Sequence, residues 1–221
     1  MQLQPEEPHA GPWTVRTHAE LAAHLIGRAA VSGRPAIVAV DGRSGAGKST
    51  LADALARATG SAQVVHTDDF AWHEPFFGWG RVLRPALAEL RSTGALEFTP
   101  PAWVARGRDG SVRVPPGRRL VIVEGVGSSQ REVADLIDAV VWVQSDDVLT
   151  EQRGIARDLA DGVNGDEAET VAFWHEWIGA ERPFLAEDRP WERADVIVAG
   201  TPVMPTAVDE VACAPGALVG G

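Results

Sequence analysis

In the stretch Gly42-Arg43-Ser44-Gly45-Ala46-Gly47-Lys48-Ser49-Thr50, the first eight residues satisfy the pattern G-x-x-x-x-G-K-[ST]. Its setting gives the pattern chemical meaning, because it follows a continuous apolar run at 36–40 and opens a stretch with helical periodicity. The glycines let successive backbone N–H groups turn toward one centre, and a helix N-terminus adds partial positive charge. Such a loop cradles nucleotide phosphates. Lys48 is placed to reach the β- and γ-phosphates and the Ser49 hydroxyl to ligate Mg²⁺. The chain holds 20 basic residues, and Lys48 is its only lysine. A guanidinium is a wide planar fork and an ammonium a compact charge on a flexible stem, so a chain that otherwise uses arginine keeps lysine for a closed phosphate loop.

Further along, His66-Thr67-Asp68-Asp69-Phe70 ends the next expected strand, at the edge that faces the ligand crevice in open α/β sheets. Side chains alternate along an extended backbone, so one of the two carboxylates faces the phosphate and the other turns aside. Asp68 is the one expected to face it, where it could take a proton from an attacking hydroxyl or bind magnesium. Glu124 closes a third apolar strand, where a magnesium contact would lie. Arg153 and Arg157 are one helical turn apart and share a face, from which they could close over a polyphosphate. Asp69, Phe70, Trp79, Trp103 and Arg106 are the candidates to shape a second pocket beside it. Trp174, Trp177 and Phe184 have a spacing that suits a core-facing helix side. The six histidines show no metal-binding spacing, and no Ser/His/Asp relay is present.

The elements that must position these groups alternate. Thr17 and Glu20 form a capping box for a helix over 17–32, followed by a buried strand at 36–41 and a helix over 48–59 stopped by Gly60. A strand at 63–67, a helix at 81–93, an irregular or hairpin insertion at 94–118 and a strand at 119–124 come next. The spacing then predicts a helix at 129–138 capped by Ser128-Ser129, a strand at 139–144, helices at 146–161 and 167–187, and a strand at 195–199. Strand alternating with helix implies an α/β fold on a parallel sheet. Composition agrees: 45% of the 221 residues are hydrophobic and 23% charged, within the range of folded soluble proteins. The formal net charge of −11 is opposite in sign to that of a nucleic-acid or anionic-membrane binder. No apolar run is long enough to cross a bilayer, the acidic, proline-bearing start does not read as a signal peptide, and a single cysteine allows no intrachain disulfide. The cytoplasm is the expected compartment, and nothing excludes a homo-oligomer.

In its order of motifs the chain resembles the uridine kinase family of P-loop nucleoside kinases, near relatives of phosphoribulokinase and pantothenate kinase. The resemblance rests on GRSGAGKST, on Asp68-Asp69-Phe70 against the family's D-x-[FY], and on VIVEGV at 121–126 against its apolar strand ending in E-G. It continues through Arg153…Arg157-Asp158 against the lid and Glu181-Arg-Pro-Phe184…Pro190…Ala194-Asp-Val-Ile197 against the family's ending, covering residues 36–200. It implies a three-layer P-loop kinase sandwich with a central parallel sheet, helices on both faces and a helical lid. The implied organisation is a flexible segment at 1–16, one kinase domain at 17–200 with its lid at about 146–165, and a loose tail at 201–221.

By the same resemblance Asp68 is the general base, Lys48 and Ser49 hold ATP and Mg²⁺, and Arg153 and Arg157 form the lid. The family's nucleoside-contacting segment aligns with Pro101–Arg108 but lacks its Tyr, Asp and His, and the chain contains no tyrosine. The implied activity is an ATP- and Mg²⁺-dependent transfer of the γ-phosphoryl group to a small-molecule hydroxyl, with a uridine- or cytidine-type nucleoside as acceptor. A kinase for a non-nucleoside alcohol and a nucleotide-responsive regulatory protein are the alternatives, and acceptor-dependent ADP release separates the two classes.

Overall fold

The computed structural model describes residues 1–29 and 33–217. Seven strands form the main sheet: β1 (Thr14–Thr17), β2 (Ala36–Gly42), β3 (Ala62–His66), β6 (Leu120–Glu124), β7 (Ala139–Gln144), β8 (Val196–Ala199) and β9 (Glu210–Pro215). Strands β4 (Leu96–Phe98) and β5 (Val112–Val114) pair separately as an antiparallel hairpin that encloses α5 (Pro101–Ala105). The main sheet runs β1-β9-β8-β7-β2-β6-β3, with its five strands from β8 to β3 parallel and the β8–β9 and β9–β1 pairs antiparallel. The fold is therefore α/β on a mixed, mostly parallel sheet, as the alternating pattern implies.

Helices cover both faces, which is why the inner strands are apolar without alternation. On β2, Val38 and Val40 pack against Leu21 and Leu25 of α1 (His18–Arg28) and Leu51 and Leu55 of α2 (Lys48–Thr59). Ile37 faces the other way, toward Leu83, Leu87 and Leu90 of α4 (Gly80–Thr93). Ala39 and Trp142 pack with Leu185 of α7 (Glu167–Asp188) and with Trp191. The Thr17–Glu20 capping box starts α1 as expected, and Gly60 ends α2 in a left-handed conformation. The last three positions of the helix expected at 17–32 lie outside the described residues.

Three expectations differ from the fold. Residues 129–138 hold only a single 3₁₀ turn, at Ala134–Leu136, because Ser129 does not cap a helix. Instead its N–H and hydroxyl both donate to the buried Asp41 carboxylate, at 2.9 and 2.6 Å. The two ends expected to be loose supply β1 and β9, whose residues pair with each other and extend the sheet beyond β8. Residues 218–221 of that tail are outside the described residues. Asp68 and Asp69 do not sit on an extended backbone either, since α3 (Thr67–Ala71) begins right after β3.

The long pair α6 (Asp147–Asp161) and α7 crosses at Gly154, where a Cβ would fall 1.9 Å from the buried Trp174 ring. Gly154→Ala is expected to lower stability by about 1–3 kcal/mol through overpacking, outweighing the ~1 kcal/mol that alanine gains over glycine inside a helix. Thermal and urea denaturation of the two proteins check this.

Candidate active site

The sharp passage from β2 into α2 places the loop at 42–50 at the carboxyl edge of the parallel sheet. Its glycines are needed where they stand. Gly45 has φ +73°, and a Cβ there would lie 2.1 Å from the Thr150 carbonyl oxygen; Gly42, at φ +154°, would meet the Val143 carbonyl at 2.8 Å. Gly47 is the left-handed cap that admits the chain to α2. Ala46 is fully buried, and its carbonyl accepts the Ser145 hydroxyl at 2.9 Å. Lys48 is nearly buried, its Nζ donating to the Arg43 carbonyl at 2.9 Å. Ser49 and Thr50 are exposed at the helix start.

A cleft of about 720 Å³ opens beside the loop. Ser44, Lys48 and Ser49 form one wall; His66, Asp68, Glu124 and Arg157 surround the point where the phosphate loop, α3 and the end of β6 meet; Trp72, Phe76, Trp79, Phe173, Trp174 and Trp177 supply apolar walls. The Ser49 hydroxyl donates to Glu124 Oε1 at 3.1 Å, and His66 Nδ1 bonds Oε2 of the same carboxylate at 2.8 Å. Burial raises the Glu124 carboxyl, but the His66 hydrogen bond, Lys48 and Ser49 outweigh it and hold Glu124 below the usual range. The hydrogen bond to Glu124 raises His66 above its usual value. A hydroxyl and a carboxylate side by side are hard oxygen donors suited to Mg²⁺, and the described residues contain no cluster of three or more acidic, His or Cys side chains that would form a protein-only metal cage.

Asp68 reaches solvent at the cleft mouth yet is crowded by protein on its other sides. Desolvation and the neighbouring Glu124 push its carboxyl up, while Lys48, His66 and Arg157 pull it down, with a net rise. Asp69, one step round α3, points away: its carboxylate pairs with Arg108 at 3.1 Å and its carbonyl accepts Trp103 Nε1 at 3.0 Å. A rotation of about 100° round the helix axis, rather than strand alternation, separates the two acids.

Of the other expected residues, Arg157 and Trp79 line the cleft, as do Trp174 and Trp177, whose spacing suits a core-facing helix side, whereas Phe70, Trp103, Arg106 and Arg153 do not. Phe70 is buried and stacks on Phe98. Trp103 is buried beneath the hairpin with Arg108 over its ring, and Arg106 caps α5 away from the loop. Arg153 shares a helix face with Arg157 but donates to the Gly200 carbonyl at 3.0 Å, whereas Arg157 is held at the cleft by its neighbour Asp158.

Two groups to which the sequence assigns no role complete the loop's surroundings. Glu181 of α7, buried, accepts the Ser44 N–H at 3.0 Å and the Ser44 hydroxyl at 2.7 Å, and Trp177 Nε1 donates to both Ser44 Oγ and Glu181. Asp41, at the end of β2, accepts from the Gly42 and Gly127 N–H groups as well as from Ser129, which ties the loop to the turn after β6. Four donors on one carboxylate are a signal that exists only in three dimensions. Glu181, by contrast, lies inside the Glu181–Phe184 segment that the sequence already marks.

Among solved structures the chain is similar to a candidate fructose transport system kinase from Silicibacter sp. TM1040, with 23% identity over 81% of this chain and 95% of that one and a TM-score of 0.56. It is similar to a D-glycerate 3-kinase from Cryptococcus neoformans var. grubii, with 13% identity, 82% and 93% coverage and a TM-score of 0.54. It is also similar to a candidate uridine kinase from Bacillus stearothermophilus, with 19% identity, 81% and 96% coverage and a TM-score of 0.51. No family model and no curated protein matches the chain. At these identities the likeness is one of architecture: the chain shares the α/β fold of these three proteins.

Proposed function

We propose that the protein is a MgATP-dependent kinase that transfers the γ-phosphoryl group to a hydroxyl of a small molecule. The observation that carries the reading is the opening of Lys48, Ser49, Glu124 and Asp68 into one cleft. Loop N–H groups and Lys48 hold the polyphosphate, and Ser49 and Glu124 are placed to hold Mg²⁺, which would neutralise charge on the β- and γ-phosphates. Asp68 orients the acceptor hydroxyl and takes its proton as the oxygen attacks the γ-phosphorus. Positioning and charge account for most of such a reaction.

The resemblance to uridine kinases makes a uridine- or cytidine-type nucleoside the first acceptor to test. A specific observation favours a second reading, a kinase for a non-nucleoside alcohol: Trp103 and Arg106, in the segment aligned with the nucleoside-contacting region, lie outside the cleft lining. In either case Asp68, Glu74, Glu124, Asp158 and Asp161 line a cleft whose only Lys or Arg residues, among the described residues, are Lys48 and Arg157, and even with Glu74 paired to Arg81 and Asp158 to Arg157 the acidic excess suits an uncharged acceptor over an anionic one. ADP release measured across nucleosides, neutral sugars and alcohols tests the reading. ADP formation indifferent to every acceptor would leave a nucleotide-responsive binding protein instead.

The two lid arginines are expected to separate. Arg157→Ala lowers kcat by about 10-fold or more while ATP affinity changes little, because its guanidinium acts on charge that develops in transfer. Arg153→Ala, which loses only a bond to the Gly200 carbonyl, leaves kcat near wild type. Steady-state kinetics of both variants check this.

A further inference from the structure

The segment ahead of β1 carries a charge that the cleft chemistry does not use. Glu7 is buried beneath the end of β7, where its Oε1 accepts Trp142 Nε1 at 2.7 Å and Gln144 Nε2 at 3.0 Å. Its other oxygen has no hydrogen-bond donor and stands 3.5 Å from the Arg43 guanidinium. Arg43 is the second residue of the phosphate loop, buried, and donates to Asp147 Oδ1 at 2.8 Å and to the Ser145 carbonyl. Around this pair the segment is fastened at several points. Gln2 N–H donates to Asp146 at 2.7 Å, Gln4 Nε2 to Asp147 at 2.8 Å, and Ala10 N–H to Gln144 at 3.1 Å.

Burying a carboxylate and a guanidinium costs more desolvation than an apolar pair of the same size, so stability alone does not call for Glu7. What the pair does fix is the loop. The Arg43 carbonyl accepts Lys48 Nζ at 2.9 Å and the Ala46 N–H at 3.1 Å, so the place of Arg43 sets the first turn around which the phosphate-binding groups are arranged. The other carboxylate on Arg43, Asp147, is partly exposed and shared with Gln4 and Arg182. Glu7 is the buried anchor.

We infer that Glu7 is a positioning residue for the phosphate loop: through Arg43, residues 2–10 preset the loop for a polyphosphate. The inference rests on the reading that this loop binds a nucleoside triphosphate.

Titration calorimetry of the full chain with MgATP and with magnesium tripolyphosphate tests it. Glu7→Gln keeps the shape and the acceptor oxygen but removes the charge. Both ligands should weaken by the same factor, about 10-fold, the low end of what outer partners of a binding group are worth. In an Arg43→Gln background, Glu7→Gln should add no further loss, because the two act as one unit. If Glu7→Gln does not fold, Glu7→Asp carries the test: the charge remains, the reach is one methylene shorter, and a smaller parallel loss is expected. A lowered Tm with both affinities unchanged would make the segment a structural strap only and overturn the inference. A loss confined to MgATP would place the segment on the nucleoside and overturn it as well. Wild-type protein that binds neither ligand would overturn the kinase reading and this inference together, whereas normal wild-type binding untouched by either variant overturns the inference alone.

Discussion

Lys48→Ala is expected to abolish measurable phosphoryl transfer and to weaken MgATP by about 10- to 100-fold, the loss of a hydrogen bond to a charged group worth ~1.5–3 kcal/mol. The geometry sharpens this expectation into one about chemical type. Lys48 is 7% exposed, and its ammonium lies against the Arg43 carbonyl inside the turn. A guanidinium carries the same charge but as a wide planar fork on a differently shaped stem, and it cannot reproduce the compact ammonium that donates to the Arg43 carbonyl inside the turn. Lys48→Arg should therefore fail nearly as badly as Lys48→Ala. Calorimetry with MgATP and turnover measurements on both variants decide the point, and wild-type behaviour in Lys48→Arg would remove the explanation for the single lysine.

The second large effect is at Asp68. Asp68→Asn preserves the side-chain shape and its place in the cleft but removes the basicity, so acceptor phosphorylation should fall by about 10²–10⁴-fold while MgATP still binds. The pH dependence has a definite sign. A base works only when deprotonated, and burial with Glu124 nearby raises the Asp68 carboxyl. Turnover should therefore decline as pH falls through a value above the ~3.9 of an unperturbed aspartate. In Asp68→Asn that acid limb should vanish, leaving the low residual rate flat across the same range. Asp69→Asn should retain the limb and most of the rate, because Asp69 is engaged by Arg108 away from the phosphate. An interchange of these two outcomes would swap the roles.

Much of the fold was legible because its signals are local. The glycine loop, the helix it opens and the Gly60 stop lie within twenty residues of one another, and strands buried on both faces announce themselves as unbroken apolar runs such as AIVAV and LVIV. What escaped depends on partners far away in the chain. Thr14–Thr17 and Glu210–Pro215 are short, mixed in polarity and partly exposed; the first becomes a strand by pairing with the second across nearly two hundred residues, and the second is also held by β8. Ser129 has the composition of a helix cap, but a buried aspartate 88 residues earlier claims both of its donors. The candidate site divides in the same way. Lys48, Ser49, Asp68, Glu124 and Arg157 stand in motifs and meet in the cleft. Phe70 and Arg153 also stand in motifs, yet Phe70 is taken up by packing against Phe98 and Arg153 by the Gly200 carbonyl, while Trp103 and Arg106, marked by type, sit on and at the end of α5 outside the cleft lining. Glu181 reaches Ser44 across 137 residues, a contact that no spacing rule encodes.

The central claim is that the cleft moves a phosphoryl group from MgATP to a hydroxyl. Phosphorus NMR of the products formed with a panel of nucleosides, neutral sugars and simple alcohols tests it most directly. The account predicts a new phosphoester formed one for one with ADP for at least one uncharged acceptor, and its loss in Asp68→Asn. Inorganic phosphate as the only product across the panel, or a phosphoester undiminished in Asp68→Asn, would contradict it.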